Sequence, residues 1–353
     1  EQDGDEIIKL FDELDRLTKE PFAAAKAEID EQLAKRCKIK VEELRPWHYH
    51  DPFFQETPAV FSADIDEPFK SANLEKLTTE FYRGIDLPVD DVLRRSDLFE
   101  KKDKNPHAFC TDIDRSGDNV RVLCNIPRPP NAYWAATMLH EFGHSVYSSK
   151  NIPQALPFVL RMESHILTTE GVAMMFERLA KRRTFLEKMG LKVEKAKEFD
   201  DTASKMQRYQ LLIFSRWCQV MLRFEKAMYE DPTQDLNKLW WDLVEKYQGL
   251  KRPEGRDAPD YASKIHIVSA PVYYHNYMMG ELFASQVHHA IVRELYRTEE
   301  PDAVIYVGNK AVGDFMKKKV FEPGKKLSWN ELTKHATGET LNAKFFAQDF
   351  KGK

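Results

Sequence analysis

The stretch Thr137-Met-Leu-His140-Glu141-Phe142-Gly143-His144-Ser-Val-Tyr147 decides how the rest of this sequence is read. In a helix, side chains four apart stack on one face, about one turn or roughly 6 Å apart along the axis. His140 and His144 can therefore reach one zinc ion. Glu141, one position past the first histidine, can hydrogen-bond a water at that ion and take its proton. This is the HExxH pattern. Met138, Leu139, Phe142 and Val146 make the stretch largely apolar, and a buried His-Glu-His set needs a compensating partner. The expected cofactor is Zn2+, one per chain.

A zinc ion that keeps one position open for water needs a third protein ligand. Two glutamates downstream compete for it. Glu163 has the HExxH-x18-E spacing, whereas Glu170 opens a strongly apolar stretch running to Phe176 and Glu177. If 160–180 is one continuous helix, a separation of seven residues puts both carboxylates near the same face. Spacing leaves the choice open.

Outward from this centre, helical periodicity dominates. Residues 4–36 read as one or two amphipathic helices, with Pro21 placed where a first-turn proline would divide them. Residues 46–61, with Trp47, His48, Tyr49, His50, Phe53 and Phe54, read as a packed aromatic loop. Helices are expected at 67–84, 88–95, 131–149, 160–189, 194–229, 234–248, 271–297, 302–318 and 328–336. The one β region is a hairpin, His107–Asp114 and Asn119–Cys124 about a turn containing Ser116-Gly117. The expected fold class is mainly α with a small β-hairpin or sheet beside the zinc helix. Its expected parts are a helical segment over 1–100 packed on a catalytic region over 101–353.

Composition narrows the classes further. The chain has 353 residues, 42% hydrophobic and 31% charged, with a formal net charge of −4. That suffices for a large core and excludes collagenous and disordered chains. Interspersed charge of both signs lacks the concentrated basic surface that nucleic acid requires. The most apolar window, 265–284, is interrupted by His266, His275, Asn276 and Glu281, so no membrane span and a soluble protein are expected. Four cysteines, none in a CxxC pair, make no disulfide scaffold and leave the compartment open. Cys110 and Cys124 fall on the two hairpin strands, where a bridge competes with ordinary free thiols. The sequence opens at Glu1 inside an amphipathic pattern, so a processed or truncated N-terminus is expected.

Read together, the motifs resemble the angiotensin-converting-enzyme family of zinc peptidyl-dipeptidases and, more distantly, thimet-type oligopeptidases. Arg161 stands nine positions before Glu170, as in the former, and Glu177 seven positions after it, as in the latter. The resemblance thus selects Glu170 as the third ligand. It also covers Lys264, His266, Tyr274 and Tyr277, matched after a one-residue insertion, and the run Tyr277, Glu281, Phe283, Ala284. By this resemblance Lys264 pairs with a peptide's terminal carboxylate, with Tyr274 beside it, and His266 hydrogen-bonds substrate backbone. Tyr277 is the expected donor to the oxyanion that develops when water attacks a peptide carbonyl. His107, ahead of the first hairpin strand, matches a histidine that holds substrate backbone along an edge strand.

The likeness extends over most of 100–353, and the departures from it are informative. The loop offers Trp47-His48-Tyr49 where the family has a carboxylate-binding glutamine. Met174 replaces an aspartate that supports a zinc histidine, and Asn276 replaces a chloride-binding arginine, so chloride activation is not expected. The family's fold is an almost all-helical ellipsoid with an N-terminal helical lid, and part of that lid is expected to be missing from this sequence. The implied activity is zinc-dependent hydrolysis of short peptides with release of C-terminal dipeptides. An endo-acting oligopeptidase and an inactive zinc-binding module are the alternatives. Oligomeric state is not legible.

Overall fold

The computed structural model describes residues 2–49, 51–61 and 64–350, so His50 of the aromatic loop lies outside the described residues. In chain order the helices are α1 (Gly4–Cys37), α2 (Leu74–Gly84), α3 (Asp90–Arg95), α4 (Ala132–Ser148), α5 (Ile166–Glu177), α6 (Arg183–Lys188), α7 (Ala196–Glu230), α8 (Leu236–Gln248), α9 (Ile265–Ser269), α10 (His275–Ile291), α11 (Lys310–Met316), α12 (Trp329–Thr337) and α13 (Lys344–Gln348). Short strands β1 (Asp97–Phe99), β2 (Phe109–Asp112) and β3 (Val120–Ile126) make a three-stranded sheet in the order β1-β3-β2. The fold is mainly α, as the periodicity indicates. No helix among the described residues is long and apolar enough to cross a membrane.

The chain forms two compact units, neither of them one uninterrupted stretch. The first is Glu1–Ser62, Lys205–Met278 and Phe346–Lys353; the second is Ala63–Ser204 and Met279–Phe345. In the first unit α1 begins at an Asp3 cap, whose side chain accepts from the amides of Asp5 and Glu6. It then runs unbroken through Pro21. Phe11, Leu14, Thr18, Phe22, Ala25 and Ile29 stay buried on both sides of the proline, and burial of that continuous stripe outweighs the missing backbone bond. Buried Gln219 of α7 donates to the Phe11 carbonyl at 2.6 Å, and Arg216 reaches Thr18 at 2.8 Å. The loop after Asp51 is pinned by Gln248, whose amide donates to the carbonyls of Phe53 and Phe54.

In the second unit the hairpin appears as β2 and β3, antiparallel with Cys110 opposite Val122. β1, a strand the sequence reading lacks, pairs parallel to β3. The register sets Cys110 and Cys124 on a diagonal, a spacing of about 7–8 Å that a disulfide does not span without backbone movement. Both thiols are free.

Four expected helices are interrupted; in 67–84 a 3-10 turn at Glu67–Phe69 gives way to the extended Asn73 cap, and α2 starts only at Leu74. The stretch 160–189 divides into a 3-10 turn at Phe158–Leu160, α5, a 3-10 turn at Arg178–Lys181 and α6. His165 has extended backbone and its Nδ1 accepts from the Leu167 amide, which starts α5 at Ile166. Glu163 therefore precedes the helix that carries Glu170. The stretch 271–297 likewise begins with a turn at Pro271-Val272 and becomes helical only at His275. In 302–318 helix begins only at Lys310, after the Asn309 cap.

Candidate metal centre

Helix α4 starts at Asn131, whose side chain accepts from the Trp134 amide at 3.0 Å. Midway along it the Tyr82 hydroxyl donates to the Leu139 carbonyl, one residue before the first histidine. Glycine then permits an unusually close helix crossing. A Cβ on Gly143 would lie 2.8 Å from the Ala173 Cα, and one on Gly171 would lie 2.7 Å from the Gly280 carbonyl oxygen. Each of the first two glycines adjoins a candidate ligand, so the crossing carries Glu170 of α5 up to His140 and His144 of α4.

The three ligand atoms lie within 4.8 Å of one another. His140 Nδ1 donates to Glu177 Oε2 at 2.5 Å, and His144 Nδ1 pairs with Thr169 Oγ1 at 2.8 Å. With both Nδ1 atoms engaged, the two Nε2 atoms face each other at 3.1 Å. Glu170 Oε2 stands 3.6 and 3.8 Å from them. A tetrahedral ion with nitrogens at about 2.0–2.1 Å spaces them by roughly 3.3 Å. Two imidazoles and a carboxylate are also the donor chemistry zinc favours. The residues fit the ion.

Electrostatics point the same way. Burial pushes His144 well below the usual imidazole range, and the neighbouring His140 charge lowers it further. Burial also works to lower His140, but the hydrogen bond and charge of Glu177 lift it to about 10. This corner of the protein therefore attracts positive charge. Glu141, 7% exposed on α4, is pushed up to about 7 by burial, with His140 pulling down and Glu170 and Glu177 pushing up. Next along the chain from Glu177, half-buried Arg178 pairs with buried Glu281 and donates to Ser285 Oγ. Glu163 is not in the cluster; its carboxylate accepts from the Ser148 hydroxyl instead. His107 is exposed in the bend before β2, its amide bonded to Asn105 Oδ1.

The unit that contains α1 gathers Lys264, His266, Tyr274 and Tyr277. Lys264 Nζ donates to Gln55 Oε1 at 2.7 Å and lies 5.3–5.4 Å from the ring centres of Phe53, Trp217 and Tyr274. Burial holds its ammonium below the ordinary lysine range. Trp217 Nε1 donates to the Tyr274 hydroxyl at 2.8 Å, and burial raises that phenol well above its usual value. His266 stands edge-on to Tyr274 and Tyr277, with ring centres 4.8 and 5.9 Å away.

Sequence reasoning missed several of these groups. Gln55 stands beside Lys264 although 209 positions separate them, a proximity no local pattern announces. Glu177 takes the supporting place at His140 that Met174 leaves empty of charge; its spacing after Glu170 was the available signal. Thr169 gave none.

Comparison with known proteins places these residues in context. The model of the family described as Peptidase family M3 matches residues 91–352. The mouse (Mus musculus) angiotensin-converting enzyme-like protein Ace3 is 32% identical over 124 residues, 33% of this chain and 16% of that protein. Carboxypeptidase 1 of Bacillus subtilis (strain 168) is 23% identical over 265 residues, 69% of this chain and 51% of that protein. The chain thus spans about half the length, or less, of these curated relatives.

Proposed function

The chain belongs to peptidase family M3, and on that premise we propose that it is a zinc peptidase that hydrolyses short peptides and releases C-terminal dipeptides. The observation that carries this reading is the convergence of His140 Nε2, His144 Nε2 and Glu170 Oε2. His140, His144 and Glu170 would hold the ion; when bound, zinc polarises the scissile carbonyl and makes water a competent nucleophile at neutral pH.

The chain's own residues supply the rest. Glu141 takes a proton from the attacking water and delivers it to the leaving amine, two roles served by a carboxyl that burial holds at about 7. Glu177 keeps the His140 ring oriented through Nδ1, as Thr169 does for His144. The Tyr277 hydroxyl donates to the oxyanion, and His266 hydrogen-bonds the substrate backbone. Lys264, with Gln55 and Tyr274, takes the terminal carboxylate; inside the aromatic cage its ammonium donates to the Gln55 amide oxygen. His107 guides backbone along the edge strand β2. These roles draw on residues 101–353 together with Gln55. The name of the Bacillus relative, a carboxypeptidase, agrees with action at a peptide's carboxyl end.

The test is hydrolysis by the zinc-loaded chain of an N-blocked tripeptide with a free or an amidated C-terminus. Much faster dipeptide release from the free form than from the amidated one is expected. Equal cleavage of both would make the protein an endo-acting oligopeptidase, and zinc binding without cleavage would make it a binding module.

A further inference from the structure

Between α9 and α10 the chain turns sharply at Pro271-Val272. Proline suits the second position of such a turn, and a residue with positive φ at the third is ordinarily glycine or asparagine. Here it is Val272, at φ 55°. A β-branched residue in the left-handed region is a steric outlier that persists only when its surroundings impose it. Packing of its own side chain does not impose it, because Val272 is 63% exposed.

The backbone contact is the remaining constraint. The Val272 amide donates to Glu225 Oε1 at 2.5 Å. Glu225 is 6% exposed in the interior part of α7. Burial raises its carboxyl, and the Val272 amide draws it back down. On one side of this strained residue lie Lys264 and His266; on the other Tyr273 and Tyr274 follow directly, with Tyr277 in the first turn of α10. Trp217 fixes the Tyr274 hydroxyl from another element. A local rule is broken where the aromatic cluster has to be delivered.

We infer that Glu225 is a positioning residue: by clamping the Val272 amide in a left-handed turn it sets the placement of Tyr274 and Tyr277 toward the peptide. The inference rests on the roles proposed above for those tyrosines, but the clamp itself is open to a test that does not involve turnover.

The experiment compares zinc-loaded wild-type chain with Glu225→Ala, Glu225→Gln, Val272→Gly and the Glu225→Ala/Val272→Gly double variant. It reads zinc content, kcat and KM for the blocked tripeptide, and backbone amide exchange over 270–277. Glu225→Ala should speed exchange in that segment alone and lower kcat/KM by on the order of 10- to 100-fold, chiefly through kcat, at full zinc content. Glu225→Gln keeps an acceptor oxygen and should stay close to wild type. Glycine adopts the turn without a clamp, so Val272→Gly should restore most of what Glu225→Ala loses.

Unchanged exchange over 270–277 in Glu225→Ala overturns the inference, as does faster exchange with unchanged kcat/KM, or Glu225→Gln as impaired as the alanine variant. Should Glu225→Ala fail to fold, recovery of folding on adding Val272→Gly supports the clamp, and failure in that background overturns it. If the wild-type chain cleaves no peptide, the proposed function falls, while the exchange comparison still decides whether Glu225 holds the turn.

Discussion

The Nε2 atoms of His140 and His144 face each other at 3.1 Å. Two imidazoles with lone pairs opposed would gain nothing and two protonated ones would repel, but a protonated His140 can donate from Nε2 to a neutral His144 Nε2. The rings are held in this arrangement from behind, by Glu177 on one and Thr169 on the other. A metal cation at the point of convergence would take the place of that shared proton.

Glu170 and Glu163 separate cleanly under mutation. Glu170→Ala should abolish stoichiometric zinc binding, since it removes one of three donors. Glu163→Ala should keep the ion, because that carboxylate bonds Ser148 instead. Zinc content after gel filtration distinguishes the two.

Loss of the support behind His140 should be milder. Glu177→Ala leaves the donor set intact but frees the ring, and zinc affinity should fall by about 10- to 100-fold. Competition with a chelator of known affinity measures it.

The helix crossing should be intolerant of a single methyl group. Gly143→Ala places a Cβ 2.8 Å from the Ala173 Cα, backbone that cannot rotate away. Overpacking of this kind costs about 1–3 kcal/mol, and the separation it forces moves Glu170 from the histidines. A lower Tm together with weaker zinc binding is expected from thermal unfolding with and without the metal.

Much of the metal centre was legible because its spacing is local. Helical periodicity suffices to stack His140 on His144 and to mark Glu141. The choice between Glu163 and Glu170 was not available from spacing, since it turns on one cap: His165 bonds the Leu167 amide and starts the helix after Glu163. Likewise Pro21 reads as a divider, yet the buried stripe through Leu14, Phe22 and Ala25 carries α1 past it. β1 escaped notice because three residues in a parallel pairing carry no alternation to recognise. Gln55 and Glu225 depend on contacts across 209 and 47 positions, which only the folded chain reveals.

Lys264 should matter for the end of the peptide and be sensitive to pH. Lys264→Ala should lower kcat/KM by roughly 10- to 100-fold for free C-termini, mainly through KM, and leave amidated peptides little affected. Burial lowers the lysine's pKa, and only its protonated form attracts a carboxylate. As pH rises, KM for free C-termini should therefore climb earlier than an ordinary lysine near 10.4 would dictate. Amidated substrates should show no such rise.

Zinc content and blocked-tripeptide hydrolysis, measured side by side in wild type and Glu141→Gln, test the central assignment most directly. One zinc per chain is expected in both proteins. Chelator-reversible dipeptide release is expected in the wild type, with turnover at least about 100-fold lower in the variant. Wild-type protein without bound zinc, or a Glu141→Gln variant that turns over unimpaired, would contradict it.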